Sequence, residues 1–306
     1  MITRWINHTG LNPVERLMMV MFELGMATLE DLSIVMGYKQ ERVYRLYQQI
    51  QNLGKPEIDR LKSQFKEIEE ARIPQEEKKE RIKILKKKIQ EEKRQWAKPH
   101  RRVSEQRGSK ARMYSLGPKG VKYCRSLMNE QGYWDIKSGQ IDHYYGLNKI
   151  LIRTIQTFGT ERLGWYSSYE ATDILISAWE LLRKKEWEQN QQLARLEKRQ
   201  MIRPDALLIL DNVSYWVEFD NNTERSRQLI QKYQGYQRAI AHYEETQEVN
   251  HPVLWVTTNQ YRRDEMERIW ELVKKDYSRV PKMHFFVQGQ ETDWLKRRHP
   301  LRRMDS

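Results

Sequence analysis

A chain of 306 residues is long enough for two domains, each burying its own core. Its formal net charge of +13, with 32% charged residues, calls for a polyanionic partner: nucleic acid, or an anionic membrane surface. The membrane is the weaker choice, because no run approaches the roughly eighteen apolar residues of a span. The first ten residues lack the apolar centre of a signal peptide, and the single cysteine, Cys124, excludes an intrachain disulfide framework and a thiol metal site. The expected location is the cytoplasm.

Residues 13–53 predict a compact helical unit. Pro13 suits the first turn of a helix with Leu17, Met18, Val20, Met21 and Leu24 at helical spacing, and Gly25 stops it. Thr28 with Asp31 resembles a capping box for a short helix, Leu29 to Met36. Gly37 turns the chain into a third helix, Gln40 to Leu53, with Val43, Leu46, Tyr47 and Ile50 inward and Lys39, Arg42 and Arg45 outward. Helix, short helix, glycine turn and basic helix make the helix-turn-helix pattern. An ordinary three-helix bundle with solvated arginines is the plainer alternative.

An insertion follows at about 57–97. Ile58, Leu61, Phe65 and Ile68, then Ile82, Leu85 and Ile89, recur at spacings of three and four around the break at Ile73-Pro74. This predicts an antiparallel, coiled-coil-like helical hairpin, able to pair with a second copy as a homodimer or to lean along DNA. Residues 98–112 carry Lys98, Arg101, Arg102, Arg107, Lys110 and Arg112 against one acid, Glu105, with Arg107-Gly108-Ser109 as a hairpin tip. Met113 to Leu116 predicts a returning strand, leading through Gly117-Pro118 into a helix ending near Met128. Such an ending resembles a winged helix, whose basic hairpin suits phosphate and minor-groove contact. The first domain is thus 1–128, with 129–140 as linker.

The second domain, 141–295, reads as helix (Tyr144 to Phe158), strand (Trp165 to Tyr169) and long polar helix (Ser177 to about Arg199). Two strands joined by Asp211-Asn212 follow, then helix (Glu224 to Tyr243), strand (Pro252 to Val256), helix (Arg262 to Lys275) and strand (His284 to Val287). This order implies a mixed sheet with helices on both sides, α+β or α/β in class. Residues 296–306, with Lys296, Arg297, Arg298, Arg302 and Arg303, read as a disordered, solvated basic tail.

The turn at Asp211-Asn212 brings Asp205 and Glu218 together at the mouth of the sheet. Clustered carboxylates beside a basic surface suit a hard divalent cation acting on phosphate. Pro204-Asp205, then Glu218-Phe219-Asp220, resembles the P-D…(D/E)-x-K signature of restriction-endonuclease-like folds, in which the carboxylates bind metal and the lysine assists the attacking water. Here Asp220 stands where that lysine belongs, and Lys232 on the next helix is the substitute. Surface pairing of the acids with Arg203, Arg225 or Arg227 is the bland alternative.

The series His143…Asn148, Glu170, Arg203-Pro204-Asp205, Glu218 to Glu224, Lys232 and Tyr236 resembles the replication-relaxation protein family of Gram-positive plasmids and integrative elements. The resemblance covers most of the chain apart from the helical-hairpin insertion. It implies a winged helix joined to a nuclease-like domain, and a role in plasmid replication, relaxation or mobilisation on double-stranded DNA. It further implies that Glu170, Asp205, Glu218 and Asp220 line a pocket for Mg²⁺ or Mn²⁺, with Lys232 beside it and Thr223 capping the following helix. His143 suits packing better than catalysis, and Tyr236 suits pocket or core. Asn222 replaces a usual glycine and would adopt a left-handed turn. Three functions are open: a DNA-binding replication or mobilisation factor, a metal-dependent nicking endonuclease, and a winged-helix transcriptional regulator.

Overall fold

The structure, a computed structural model, describes residues 1–104, 110–128, 140–244, 251–277 and 280–300. Two compact units divide it, Arg4–Tyr145 and Gly146–Ser306, the latter joined by Met1–Thr3. The fold is mixed α+β, with one three-stranded antiparallel and one five-stranded mixed sheet.

After α1 (Ile2–Ile6), which crosses the boundary at Arg4, the first unit holds in chain order α2 (Pro13–Leu24), β1 (Ala27–Thr28), α3 (Leu29–Met36), α4 (Gln40–Asn52), α5 (Lys55–Glu70), α6 (Gln75–Trp96), β2 (Ala97–Ser104), β3 (Lys110–Leu116) and α7 (Pro118–Met128). Local chemistry sets the helix ends. Asn12 accepts from the amides of Val14 and Glu15 at 2.9 and 3.0 Å while Glu15 reaches back to the Asn12 amide, a reciprocal cap on α2. Thr28 and Asp31 do the same for α3, and Gly37 closes α3 in the left-handed region (φ 64°). Leu17, Met18, Met21, Val35, Val43, Tyr47, Ile50 and Met113 are buried together as this unit's core. The sheet order is β1-β3-β2, with Ala27 opposite Tyr114 and Ala97 opposite Leu116. The insertion is a helical hairpin: α5 and α6 pack on each other, with Ile58, Leu61 and Leu85 buried. The expected hairpin tip, 107–109, lies outside the described residues, as does nearly all of the expected linker.

The second unit follows α8 (Ile141–Phe158), in which the boundary falls, with β4 (Leu163–Ser167), α9 (Ser168–Gln189), α10 (Gln191–Gln200), β5 (Ala206–Leu210), β6 (Val213–Asp220), α11 (Ser226–Glu244), β7 (Val253–Thr257), α12 (Gln260–Val273), β8 (Met283–Val287) and α13 (Gln290–Arg298). Strand order is β4-β5-β6-β7-β8; the first three run antiparallel and the last three parallel. One face buries Leu207, Trp216, Trp255 and Phe285 under α9, α11 and α12, through Leu175, Tyr233, Tyr236 and Trp270. The opposite face carries Phe219 and Tyr215. Phe219 packs so closely on α8 that a Cβ at Gly146 would lie 2.0 Å from its ring, and Tyr215 meets Trp294 of α13 edge-on.

Three expectations are corrected. The long polar helix starts earlier, at Ser168, and breaks at Asn190, whose side chain caps α10 through the Leu193 amide (3.0 Å). The basic run from Lys296 to Arg298 is the last turn of α13 and not a solvated tail, because Leu295 anchors that helix with no exposure; residues 301–306 are outside the described set. Thr223 does not cap α11: the helix begins at Ser226, and the Thr223 hydroxyl donates to Asn221 Oδ1 at 2.6 Å.

Candidate functional site

Asp211 and Asn212 both have positive φ (48° and 65°), as a tight two-residue hairpin requires, and Ala206 pairs with Val217 as a result. One step beyond that pair, the Asp205 amide bonds to the Val217 carbonyl (3.1 Å), and Asp205 Oδ2 accepts from the Phe219 amide (2.8 Å). Asp205 is therefore fixed beside Glu218. Alternation along β6 points Trp216, Glu218 and Asp220 to the face covered by α11 and α12.

Glu218 has no exposure. Its Oε2 accepts from Lys232 Nζ (2.8 Å) and its Oε1 from the Tyr236 hydroxyl (2.7 Å). Lys232 also pairs with Glu224 at 2.7 Å and lies over the Trp255 ring, 5.6 Å from its centroid. Burial pushes the Glu218 carboxyl up to about 8; the Lys232 charge opposes that, and the Asp205 charge adds to it. Burial alone would lower Lys232, but Glu218, Asp205 and Glu224 outweigh it and hold the ammonium well above the usual lysine value. The two side chains act as one unit: a permanent cation set against a carboxyl that burial makes reluctant to ionise.

Asp220 has a different partner. Its Oδ2 accepts from Arg262 Nε, and Arg262 also holds Glu265 (2.8 Å) and the Glu224 carbonyl (2.5 Å). Both members of the pair are buried. Asn222 adopts the left-handed turn (φ 65°), its amide bonded to Asp220 Oδ1 at 3.1 Å. Glu170, in the first turn of α9, accepts from the chain's terminal amino group at 2.5 Å. His143 meets Tyr144 edge-on in α8.

Thus Asp205, Glu218 and Lys232 come together, and Asp220 sits one pleat further along in its own ion pair. Glu170 does not join them: among the described residues, no three His, Cys, Asp or Glu side chains form a group that could hold a metal. As arranged, the acids do not fit Mg²⁺ or Mn²⁺, because both Glu218 oxygens and the Oδ2 of Asp220 are already committed to cationic or hydroxyl donors. Arg262 was the functional-site residue that sequence reasoning passed over. The only signal was Asn259, whose side chain caps α12 at the Arg262 amide (2.9 Å) and so sets that arginine in the first turn.

In the first unit, Lys39, Arg42 and Arg45 are exposed along one side of α4, with Tyr44, Gln48 and Gln49 also open to solvent. Arg42 is held flat on the Tyr38 ring, 3.9 Å from its centroid. Arg102 and Arg112 face each other across β2 and β3, beside an irregularity between Pro99 and Arg102. Arg112 is exposed, and Arg101 is exposed but paired with Asp142 at 2.5 Å. Arg107 lies outside the described residues, and Lys110 begins β3. His100 adds no charge at neutral pH: burial, helped by Lys98, pulls it down to about 4.

No helix among the described residues is long and apolar enough to cross a membrane. No curated protein and no solved structure matches the chain. The family model for replication-relaxation matches residues 66–254, more than half of the chain. It starts within α5 and so takes in most of the helical hairpin, which the sequence resemblance had left out, and it stops within β7. The chain therefore belongs to the replication-relaxation family, and membership supports a role in replication or relaxation of a plasmid or similar element.

Proposed function

We propose that the protein is a double-stranded DNA-binding factor acting in that replication or relaxation. In this reading α2, α3 and α4 with the three-stranded sheet are a winged helix. α4 enters the major groove and β2–β3 lies along the backbone. The observation that carries the reading is the exposed side of α4, where Lys39, Arg42 and Arg45 alternate with Tyr44, Gln48 and Gln49 and no acid but Glu41 interrupts. Arginines and glutamines are the side chains that read guanine and adenine edges. Arg42→Ala with Arg45→Ala should reduce discrimination between duplexes, each lost bidentate contact costing about 1–3 kcal/mol of specificity. Arg112→Ala should weaken binding to all duplexes alike. Competition binding with target and scrambled duplexes reads both; equal behaviour of the two variants contradicts the division.

In the same reading the second unit is restriction-endonuclease-like in descent and structural in use, its acids held by Lys232 and Arg262. A second reading, a Mg²⁺- or Mn²⁺-dependent nicking enzyme, is favoured by one observation, the meeting of Asp205, Glu218 and Lys232. The committed oxygens weigh against it. Incubation of supercoiled plasmid with the protein and either metal separates the two. We expect no nicked product; product abolished by Asp205→Ala would establish the enzyme.

A further inference from the structure

β8 ends the five-stranded sheet, and no strand among the described residues pairs with its outer edge. On its inner edge the Val253 amide bonds to the Lys282 carbonyl and the Gln288 amide to the Thr257 carbonyl, both at 2.8 Å. Alternation then sends the backbone groups of Lys282, His284, Phe286 and Gln288 towards β7, and those of Met283, Phe285 and Val287 outward. Of the outward groups, the Val287 amide is taken by Gln290 Oε1 at 3.0 Å. Met283 and Phe285 retain a donor and an acceptor each. A groove of about 360 Å³ lies against this edge, lined by Arg263 of α12, Phe285, Phe286, and Gln290, Asp293 and Arg297 of α13.

We propose that this edge takes an extended acidic segment of a partner protein as an added strand. An open strand edge is a template for exactly one kind of ligand backbone, one that offers amides and carbonyls in alternation. Phosphate chains accept hydrogen bonds but do not donate them, so they would leave the Met283 and Phe285 carbonyls unanswered. A second copy would bring its own Lys282, Arg263 and Arg297 against the first set, and like charges repel. Arg263 has a buried Nε without a hydrogen-bond partner, its other nitrogens meeting Asp264 and Glu267, and the only acid lining the groove, Asp293, pairs with Lys296. Arg297 in the groove and Lys282 at the start of the edge pair with no acid among the described residues, and these two cations favour a partner strand with acidic side chains.

The test uses the full chain and a fluorescein-labelled peptide of alternating glutamate and valine, read by anisotropy. Saturable binding is expected, weakened about tenfold or more by N-methylation of every second peptide amide and by Arg263→Glu with Arg297→Glu, a loss of roughly 1.4 kcal/mol. A lysine–valine peptide should not bind. No saturable binding, or equal binding of the N-methylated peptide, overturns the proposal. So does a concentration-dependent dimer in sedimentation that the two charge reversals abolish, since the edge would then serve a second copy.

Discussion

Glu218 accepts two hydrogen bonds and touches no water, so its partners decide what the unit tolerates. Above about pH 8, where Glu218 is ionised, Lys232→Met would strand a buried carboxylate, a change that typically costs about 3–5 kcal/mol. Urea unfolding measures it, and a loss below about 1 kcal/mol would place the pair outside the stabilising core. The pH dependence has a definite sign. The folded carboxyl keeps its proton up to about 8 whereas an ordinary glutamate releases it near 4.5, so the folded state binds more protons between those values. Stability should therefore fall as pH rises across that window and level off above it. Glu218→Gln should flatten that slope; an unchanged slope in urea midpoints contradicts the assignment. The partners of these acids were illegible in the chain. Lys232 and Arg262 arrive from helices 14 and 42 positions beyond the carboxylates they hold, and the spacing of a strand says nothing about which side chain of a distant helix will face it.

The hairpin of β5 and β6 was legible for a physical reason. A two-residue turn fixes register, so identifying Asp211-Asn212 already set Asp205 next to Glu218. That turn can be tested by itself. Asn212→Val places a branched side chain at φ 65° and should cost about 1–3 kcal/mol, while Asn212→Gly should be neutral or stabilising in thermal melts. Equal loss from both would mean the turn is held by its contacts and not by its backbone. α2 and α3 were equally readable, because caps, a glycine stop and apolar spacing agree, and α4 by its apolar spacing. α13 was missed for the opposite reason: its Lys296, Arg297 and Arg298 look like a tail, and a single buried Leu295 is too little periodicity to expose a helix. The break at Asn190 was hidden likewise, since both sides of it are polar and helix-forming.

At the scale of the molecule, the positive charge and the family point the same way, to a nucleic-acid role. The apolar repeat of the α5–α6 hairpin suggests pairing with a second copy: Ile58, Leu61 and Leu85 are buried, Phe65, Ile68, Ile82 and Ile89 are half-buried, and Ile84 is exposed. The two helices begin and end close together, Gly54 lying against Trp96, so the distal part, residues 62–88, can be replaced by a short loop. Light scattering should then give a lower oligomeric state than before; an unchanged state would leave the arm outside any interface. The claim on which the account rests is that α4 and the β2–β3 strands bind duplex DNA through its phosphates. It is tested most directly by the salt dependence of affinity for a labelled duplex. With about two phosphates neutralised, by Lys39 and Arg112, affinity should fall roughly tenfold between 50 and 200 mM salt, and the slope should shrink by about one for each of these two cations removed. An affinity indifferent to ionic strength would contradict it.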